Sequence, residues 1–196
     1  TQWKLAFSDE FNGSSVDTSV WNYRTGERMW SAQFPANVSV QDGMLRIALR
    51  KEKSGTVDYT AGGLISKQAF RYGYYEARLR MPKGRGWHTS FWMMQNGPRA
   101  GIDQRYQEID VCEQDSSDHT AYSVNWHNWK PHSSFGHKRV SGPDLSADFH
   151  IYGAEFTPHT VRYFLDGQVV QTIDVSAVPH NDMNIWLTSI ATWLGR

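Results

Sequence analysis

The segment Tyr106-Gln107-Glu108-Ile109-Asp110-Val111-Cys112-Glu113 puts three carboxylates within six residues of otherwise strand-like sequence. Glu108 and Asp110 are two apart and share one face of a strand. Glu113 is five from Glu108, so a regular strand would send it to the opposite face. A β-bulge near Val111 or Cys112 would add one residue and return Glu113 to the side of the other two. Three carboxyl groups along one cleft floor suit acid/base work. Retaining glycoside hydrolysis uses two carboxyl groups about 5–5.5 Å apart, one attacking the anomeric carbon and one protonating the leaving oxygen. On a strand, Glu108 and Glu113 would stand about 13 Å apart at the backbone, so their side chains must lean together. Crowded like charges keep one proton in the group, as a general acid requires. A solvated acidic strand face and a divalent-metal site are the alternatives that these residues leave open. Cys112 reads as a small buried residue rather than a nucleophile.

The elements that position this segment read as strands. Turn signals recur along the chain at Asn12-Gly13, Asp42-Gly43, Ser54-Gly55, Gly62-Gly63, Lys83-Gly84, Asn96-Gly97, Gly142-Pro143 and Asp166-Gly167. Between them, Leu45/Ile47/Leu49, Tyr75/Ala77/Leu79/Met81 and Val161/Tyr163/Leu165 alternate with other residues, the period of a half-buried strand. Asp166-Gly167 predicts a tight hairpin turn. No stretch of a dozen residues keeps a helical period. The pattern predicts an all-β antiparallel sandwich. Residues 31–36 and 125–143 break the strand pattern. The second stretch carries Trp126, His127, Trp129, His132 and His137 and reads as a site loop. The five-residue spacing of its three histidines fits no standard zinc arrangement.

Composition narrows the function. The chain has 196 residues, with 20 Lys+Arg against 20 Asp+Glu. That balance argues against a protein held on nucleic acid by bulk positive charge. One cysteine excludes an internal disulfide, and a single domain over 1–196 is large enough to fold without a disulfide or metal. No apolar run is long enough to predict a membrane span. The chain opens at Thr1 without a leader peptide and reads as a mature or trimmed form. Nine Trp, nine Tyr and nine Phe make 14% of the residues. They serve either an all-β core or a cleft that takes the flat apolar face of a sugar ring.

These residues resemble glycoside hydrolase family 16, whose Glu-x-Asp-x-x-Glu signature is matched by Glu108, Asp110 and Glu113. The resemblance extends in order from Ser8-Asp9-Glu10-Phe11-Asn12-Gly13 through Tyr59–Lys67, Tyr72–Arg78 and Ser90-Phe91-Trp92-Met93-Met94 to Asp148–Tyr152 and Phe164-Leu165-Asp166-Gly167. It implies a concanavalin-like jelly roll of two curved antiparallel sheets, with an open cleft for a polysaccharide. It implies an endo-acting, retaining hydrolase with Glu108 as nucleophile, Glu113 as acid/base and Asp110 holding the nucleophile. Trp92 would stack on a sugar or pack beneath it. Further expected substrate contacts are Trp87, His88, Trp126, His127, Trp129, Trp30 beside Arg28, and Arg71. Where glucan-cleaving members carry a Trp-Pro-Ala-Phe-Trp run, this chain has His88-Thr89-Ser90-Phe91-Trp92, which looks more like the agarase, porphyranase and carrageenase branch. Lys67, Arg71, Arg99, Arg105, Lys130, Lys138 and Arg139 would favour a sulfated galactan. The competing readings are a β-1,3- or mixed-linkage glucanase, a non-catalytic sugar-binding jelly roll, and a partner-binding sandwich. No cofactor is expected for catalysis. A structural calcium with Glu10 among its ligands, a monomeric state and an extracellular or cell-surface location are further expectations. The family's last strand, expected after the segment that includes Ile185, would be absent.

Overall fold

In a computed structural model the chain forms an all-β sandwich, described for residues 3–97, 107–129 and 131–192. Tyr106, Arg99, Arg105 and Lys130 lie outside the described residues. The strands are β1 (Trp21–Tyr23), β2 (Gly26–Arg28), β3 (Ser31–Gln33), β4 (Val38–Gln41), β5 (Met44–Ile47), β6 (Tyr59–Phe70), β7 (Gly73–Leu79) and β8 (Trp87–Met94). They continue as β9 (Gln107–Asp115), β10 (Ala121–Trp129), β11 (His132–Ser141), β12 (His150–Phe156), β13 (Thr160–Leu165), β14 (Gln168–Asp174) and β15 (Met183–Ala191). One 3-10 turn, Pro35–Asn37, interrupts them.

The larger sheet has the order β11-β10-β9-β8-β15-β6-β3-β2, with β1 also paired to β6. The β3–β6 pair is parallel and the other pairs are antiparallel. A four-stranded sheet, β14-β13-β12-β7, and the β4-β5 hairpin form the remaining sheets. The core lies between the layers: Ile109, Val111, Val124, Trp126, Phe91 and Met93 from the large sheet meet Tyr152, Phe156, Val161 and Tyr163 from the smaller one. Tyr163 ties the layers together by donating its hydroxyl to the Asn125 carbonyl at 2.6 Å. No helix among the described residues is long and apolar enough to cross a membrane.

Local sequence explains the turns. β13 joins β14 through Asp166 (φ 47°) and Gly167 (φ 77°), two left-handed residues that suit the twist of a tight hairpin. β13 alternates as its sequence predicts, with Val161, Tyr163 and Leu165 inward. Two expectations need correction. Residues 31–33 form a strand, β3, with all three side chains buried. Residues 125–143 are mostly not a loop: they complete β10 and supply β11, so their side chains alternate between two faces. Polar and aromatic residues fill both faces there, which hides the period-two hydrophobic signal.

Candidate active site

The bulge that the carboxylate spacing demands is present. On the β8 side, Trp92 pairs with Asp110 and Phe91 with Cys112, so Val111 is the surplus residue. On the β10 side, Asn125 pairs with Asp110 and Ser123 with Glu113, with the same irregularity between. Val111 and Cys112 both turn into the core, and both are fully buried. Glu108, Asp110 and Glu113 therefore share the opposite face of β9. Cys112 is a packing residue: burial, with Glu113 nearby, pushes its thiol well above its ordinary range.

Asp110 sits between the two glutamates and is 1% exposed. Burial, the neighbouring Glu113 and Glu108, and a hydrogen bond shared with Glu108 hold its carboxyl well above the usual carboxylate range. Its carboxyl therefore holds a proton more readily than a free carboxylate does, and when protonated it can donate to Glu108. The buried Asp110 Oδ2 lies 3.3 Å from His127 Nε2. His127 pairs in register with Glu108, and Asn125 Nδ2 is 3.0 Å from its Nε2. Burial, aided by His132 and His137, moves the His127 imidazole below its ordinary range against the pull of Glu113, so it is neutral at neutral pH. Oxygens of Glu108 and Asp110 and a His127 nitrogen lie within 4.8 Å of one another, a set a metal ion could use.

Each glutamate is in hydrogen-bond contact with a neighbouring strand. Trp129 Nε1 donates to Glu108 Oε2 at 3.1 Å. His88 Nε2 lies 3.1 Å from Glu113 Oε1. Along the sheet from Glu108, Trp92 stacks on Trp186 with centroids 4.6 Å apart and planes at 27°, and it donates Nε1 to Thr188 Oγ1. With Ile65 and Met94 these rings form an apolar patch separate from the main core. The Arg24 guanidinium lies 5.8 Å from the Trp92 ring centroid and 5.7 Å from that of Trp186. Burial lowers the Arg24 guanidinium to about 10, with Arg28 adding to the shift and Glu108 opposing it.

The structure thus brings Glu108, Asp110, Glu113, Trp92, His88, His127 and Trp129 onto one face. Trp126 is a correction. It is fully buried, it packs edge-on against Phe156, and its Nε1 donates to Asn128 Oδ1, because residue 126 has the inward parity of β10. It offers no sugar platform. Trp87 is half-buried at the start of β8, edge-on to Tyr59. Trp30 is 38% exposed in the β2–β3 turn at the far edge of the large sheet. Arg71 follows β6, three strands from β9, and pairs with Asp182 at 2.8 Å. Lys138 donates to the Val170 carbonyl, and Arg139 pairs with Asp118. Glu10 is exposed and stands apart from the one carboxylate–histidine group found among the described residues. Sequence reasoning missed Arg24, Asn125 and Trp186. Arg24 lies in a short link without a motif, and only strand pairing carries Trp92 and Trp186 beneath it.

The sheet order is that of the jelly-roll glycoside hydrolases. The catalytic domain of an endo-1,3-beta-glucanase (laminarinase) from Thermotoga petrophila RKU-1 superposes with a TM-score of 0.86, at 24% identity over 97% of this chain and 88% of that one. Residues 2–193 match the sequence family described as beta-porphyranase A-D, GH16 domain. The chain belongs to glycoside hydrolase family 16. A beta-glucanase from Acetivibrio thermocellus is 31% identical over 191 residues, covering 93% of this chain. A kappa-carrageenase from Pseudoalteromonas carrageenovora is 30% identical over 217 residues, covering 92% of this chain. The chain spans 55% and 53% of the lengths of these two relatives.

Proposed function

We propose that this domain is an endo-acting retaining glycosidase that cleaves internal β-linkages of a galactan of the agar, porphyran or carrageenan type. The observation that carries the reaction class is the single-faced trio on β9, with the buried Asp110 between two glutamates. In this reading the Glu108 carboxylate attacks the anomeric carbon while the glycosidic bond breaks. Glu113 gives its proton to the departing oxygen. Asp110 donates to Glu108 in the free enzyme and so fixes the attacking group. In the second half Glu113 takes a proton from water, the water oxygen bonds the anomeric carbon, and Glu108 leaves as carboxylate. The Trp92–Trp186 patch supplies an apolar wall for a sugar face. No metal takes part in these steps.

The galactan preference is supported by the family match, by the carrageenase relative and by the basic Arg24 against the cleft wall. The second reading, a β-1,3- or β-1,3-1,4-glucanase, draws on the glucanase relatives. On this reading the enzyme meets its polymer substrate outside the cell or on its surface, and we propose that it works there as a monomer.

The test is a panel of agarose, porphyran, carrageenans, laminarin, lichenan and a mucin-type galactan, with reducing ends and product sizes measured and Glu108→Gln as control. Oligosaccharides from a galactan alone, lost in the variant, are expected. Release from laminarin or lichenan alone would overturn the substrate class and keep the mechanism. Activity that survives Glu108→Gln would overturn the mechanism.

A further inference from the structure

Glu113 has two carboxyl oxygens, and acid catalysis depends on which one carries the proton. His88 stands at 30% side-chain exposure and Glu113 at 27%, so their 3.1 Å contact is partly shielded from water. The backbone beneath His88 is fixed from both sides. Trp87 N donates to Ser116 Oγ at 2.9 Å, and Ser116 N donates to the Trp87 carbonyl at 2.8 Å. Across the other edge of β8, His88 pairs with Ile190, and Ser189 Oγ donates to the His88 carbonyl. On the β9 side His88 pairs with Asp115 while Glu113 pairs with Ser90, so the ring reaches Glu113 diagonally across the cleft face. Ser123, His137 and Arg139 close the same recess from β10 and β11. Arg139 is engaged by Asp118.

We infer that His88 is a positioning residue that donates Nε2–H to Glu113 Oε1 and thereby confines the transferable proton to Glu113 Oε2. This rests on the role proposed above for Glu113. The tautomer follows from the chemistry. An Nε2 lone pair would accept the Glu113 proton and withhold it from the glycosidic oxygen. An Nε2–H donor instead serves both states of Glu113. It binds the carbonyl-like Oε1 of the acid, and it binds the carboxylate left after proton transfer. The proton balance is unchanged: one proton moves from Oε2 to the leaving oxygen and is replaced from water in the second half-reaction. Trp129 Nε1 on Glu108 Oε2 does the corresponding job for the other glutamate, from the strand on the opposite side of β9.

The experiment compares wild type, His88→Ala and His88→Gln with two substrates, the cleaved polymer and an aryl glycoside with a dinitrophenolate leaving group. The comparison rests on kcat/KM, because it reports the glycosylation step alone, and KM is read beside it. General acid catalysis contributes about 10²–10⁴-fold. His88→Ala is expected to lower kcat/KM on the polymer by about 10²-fold, with KM nearly constant and the activated substrate little affected. His88→Gln, which keeps an N–H donor, should recover most of the loss. Equal losses on both substrates, or a change confined to KM, would make His88 a sugar contact and overturn the proposal. A substrate-free measurement separates this from a failure of the functional reading. Imidazole ¹⁵N spectra of the wild type should show the Nε2–H form of His88, with its proton resonance displaced in Glu113→Leu. A neutral Nδ1–H form, or a resonance indifferent to Glu113→Leu, would overturn the proposal even if no polymer in the panel is cleaved.

Discussion

Deleting Val111 should leave the protein folded and active, because this residue is surplus to the register on both sides of β9. Removing it makes Trp92–Asp110 and Phe91–Cys112 consecutive pairs, and it gives Val124 a single partner between Ser123–Glu113 and Asn125–Asp110. The alternation then runs Glu108 out, Ile109 in, Asp110 out, Cys112 in, Glu113 out. Four regular steps of about 3.3 Å span about 13 Å, the distance over which the bulged strand already spreads the two glutamates. The cost lies in the core. Val111 is fully buried, and losing such a side chain costs about 1.5–3 kcal/mol. For a chain of this size that lowers Tm by about 3–12 °C. Small changes in the aim of the carboxyls add to this, and a misplacement of 1 Å costs about 10²-fold in rate. The expected kcat/KM is therefore at least about 1% of wild type, against near-complete loss in Glu108→Ala. The assay is polymer cleavage beside near-ultraviolet circular dichroism and calorimetry. An alanine inserted between Val111 and Cys112, which moves Glu113 off the shared face, is the inactive control. A folded deletion variant with no more activity than Glu113→Ala would refute the reasoning, because the bulge would then be aiming the acid and not merely restoring its parity.

Other substitutions test single contacts. Asp110→Asn should be more stable than wild type at alkaline pH and gain nothing at acid pH. A carboxyl raised on folding contributes stability at low pH that is lost as pH rises through its folded value, and Asn removes that loss; the check is Tm of both proteins from pH 4 to 9. Tyr163→Phe leaves the Asn125 carbonyl without its buried donor and should cost about 1–3 kcal/mol in urea unfolding with an unchanged m-value. Arg24→Leu removes the cation over Trp92 and Trp186, about 0.5–2 kcal/mol of stability, and on a sulfated polymer it should raise KM more than it lowers kcat. Glu113→Ala should spare an activated aryl glycoside while losing about 10²–10⁴-fold on the polymer, and equal losses would remove the acid role.

The features legible in the sequence are those set by neighbours along the chain. Asp42-Gly43 reads as a turn and Asp166-Gly167 as a tight hairpin because both residues of each pair accept positive φ, and the structure has φ 55°, 69°, 47° and 77° there. The bulge in β9 is legible for a different reason. Glu108, Asp110 and Glu113 can share a face only if one residue is absorbed between Asp110 and Glu113, and two adjacent apolar residues stand there to be buried. The misreading of β10 is instructive because the same parity rule applies to it. Trp126 and Trp129 are three apart, so on a strand they cannot both face the cleft, and the loop reading concealed that. What stayed hidden depends on contacts between distant segments. Arg24 meets Trp92 and Trp186 only because β6 sets β1 beside the β15–β8 pair.

The catalytic chemistry is therefore local while its aim is not. Three carboxylates come from one strand, and the bulge that absorbs Val111 keeps them on one face. The hydrogen bonds that fix an oxygen of each glutamate come from strands on opposite sides, Trp129 of β10 for Glu108 and His88 of β8 for Glu113. A shift of the His88 end of β8 bears on the Glu113 contact, and a shift of the Trp129 end of β10 bears on the Glu108 contact. Because β8 is itself clamped by β15, the orientation of the proposed acid depends on a strand nearly eighty residues further along the chain than the acid itself. Substitutions along the β8–β15 seam, such as at Ser189 or Thr89, which share a hydrogen bond at 2.8 Å, should then affect substrates that need a proton more than those that do not.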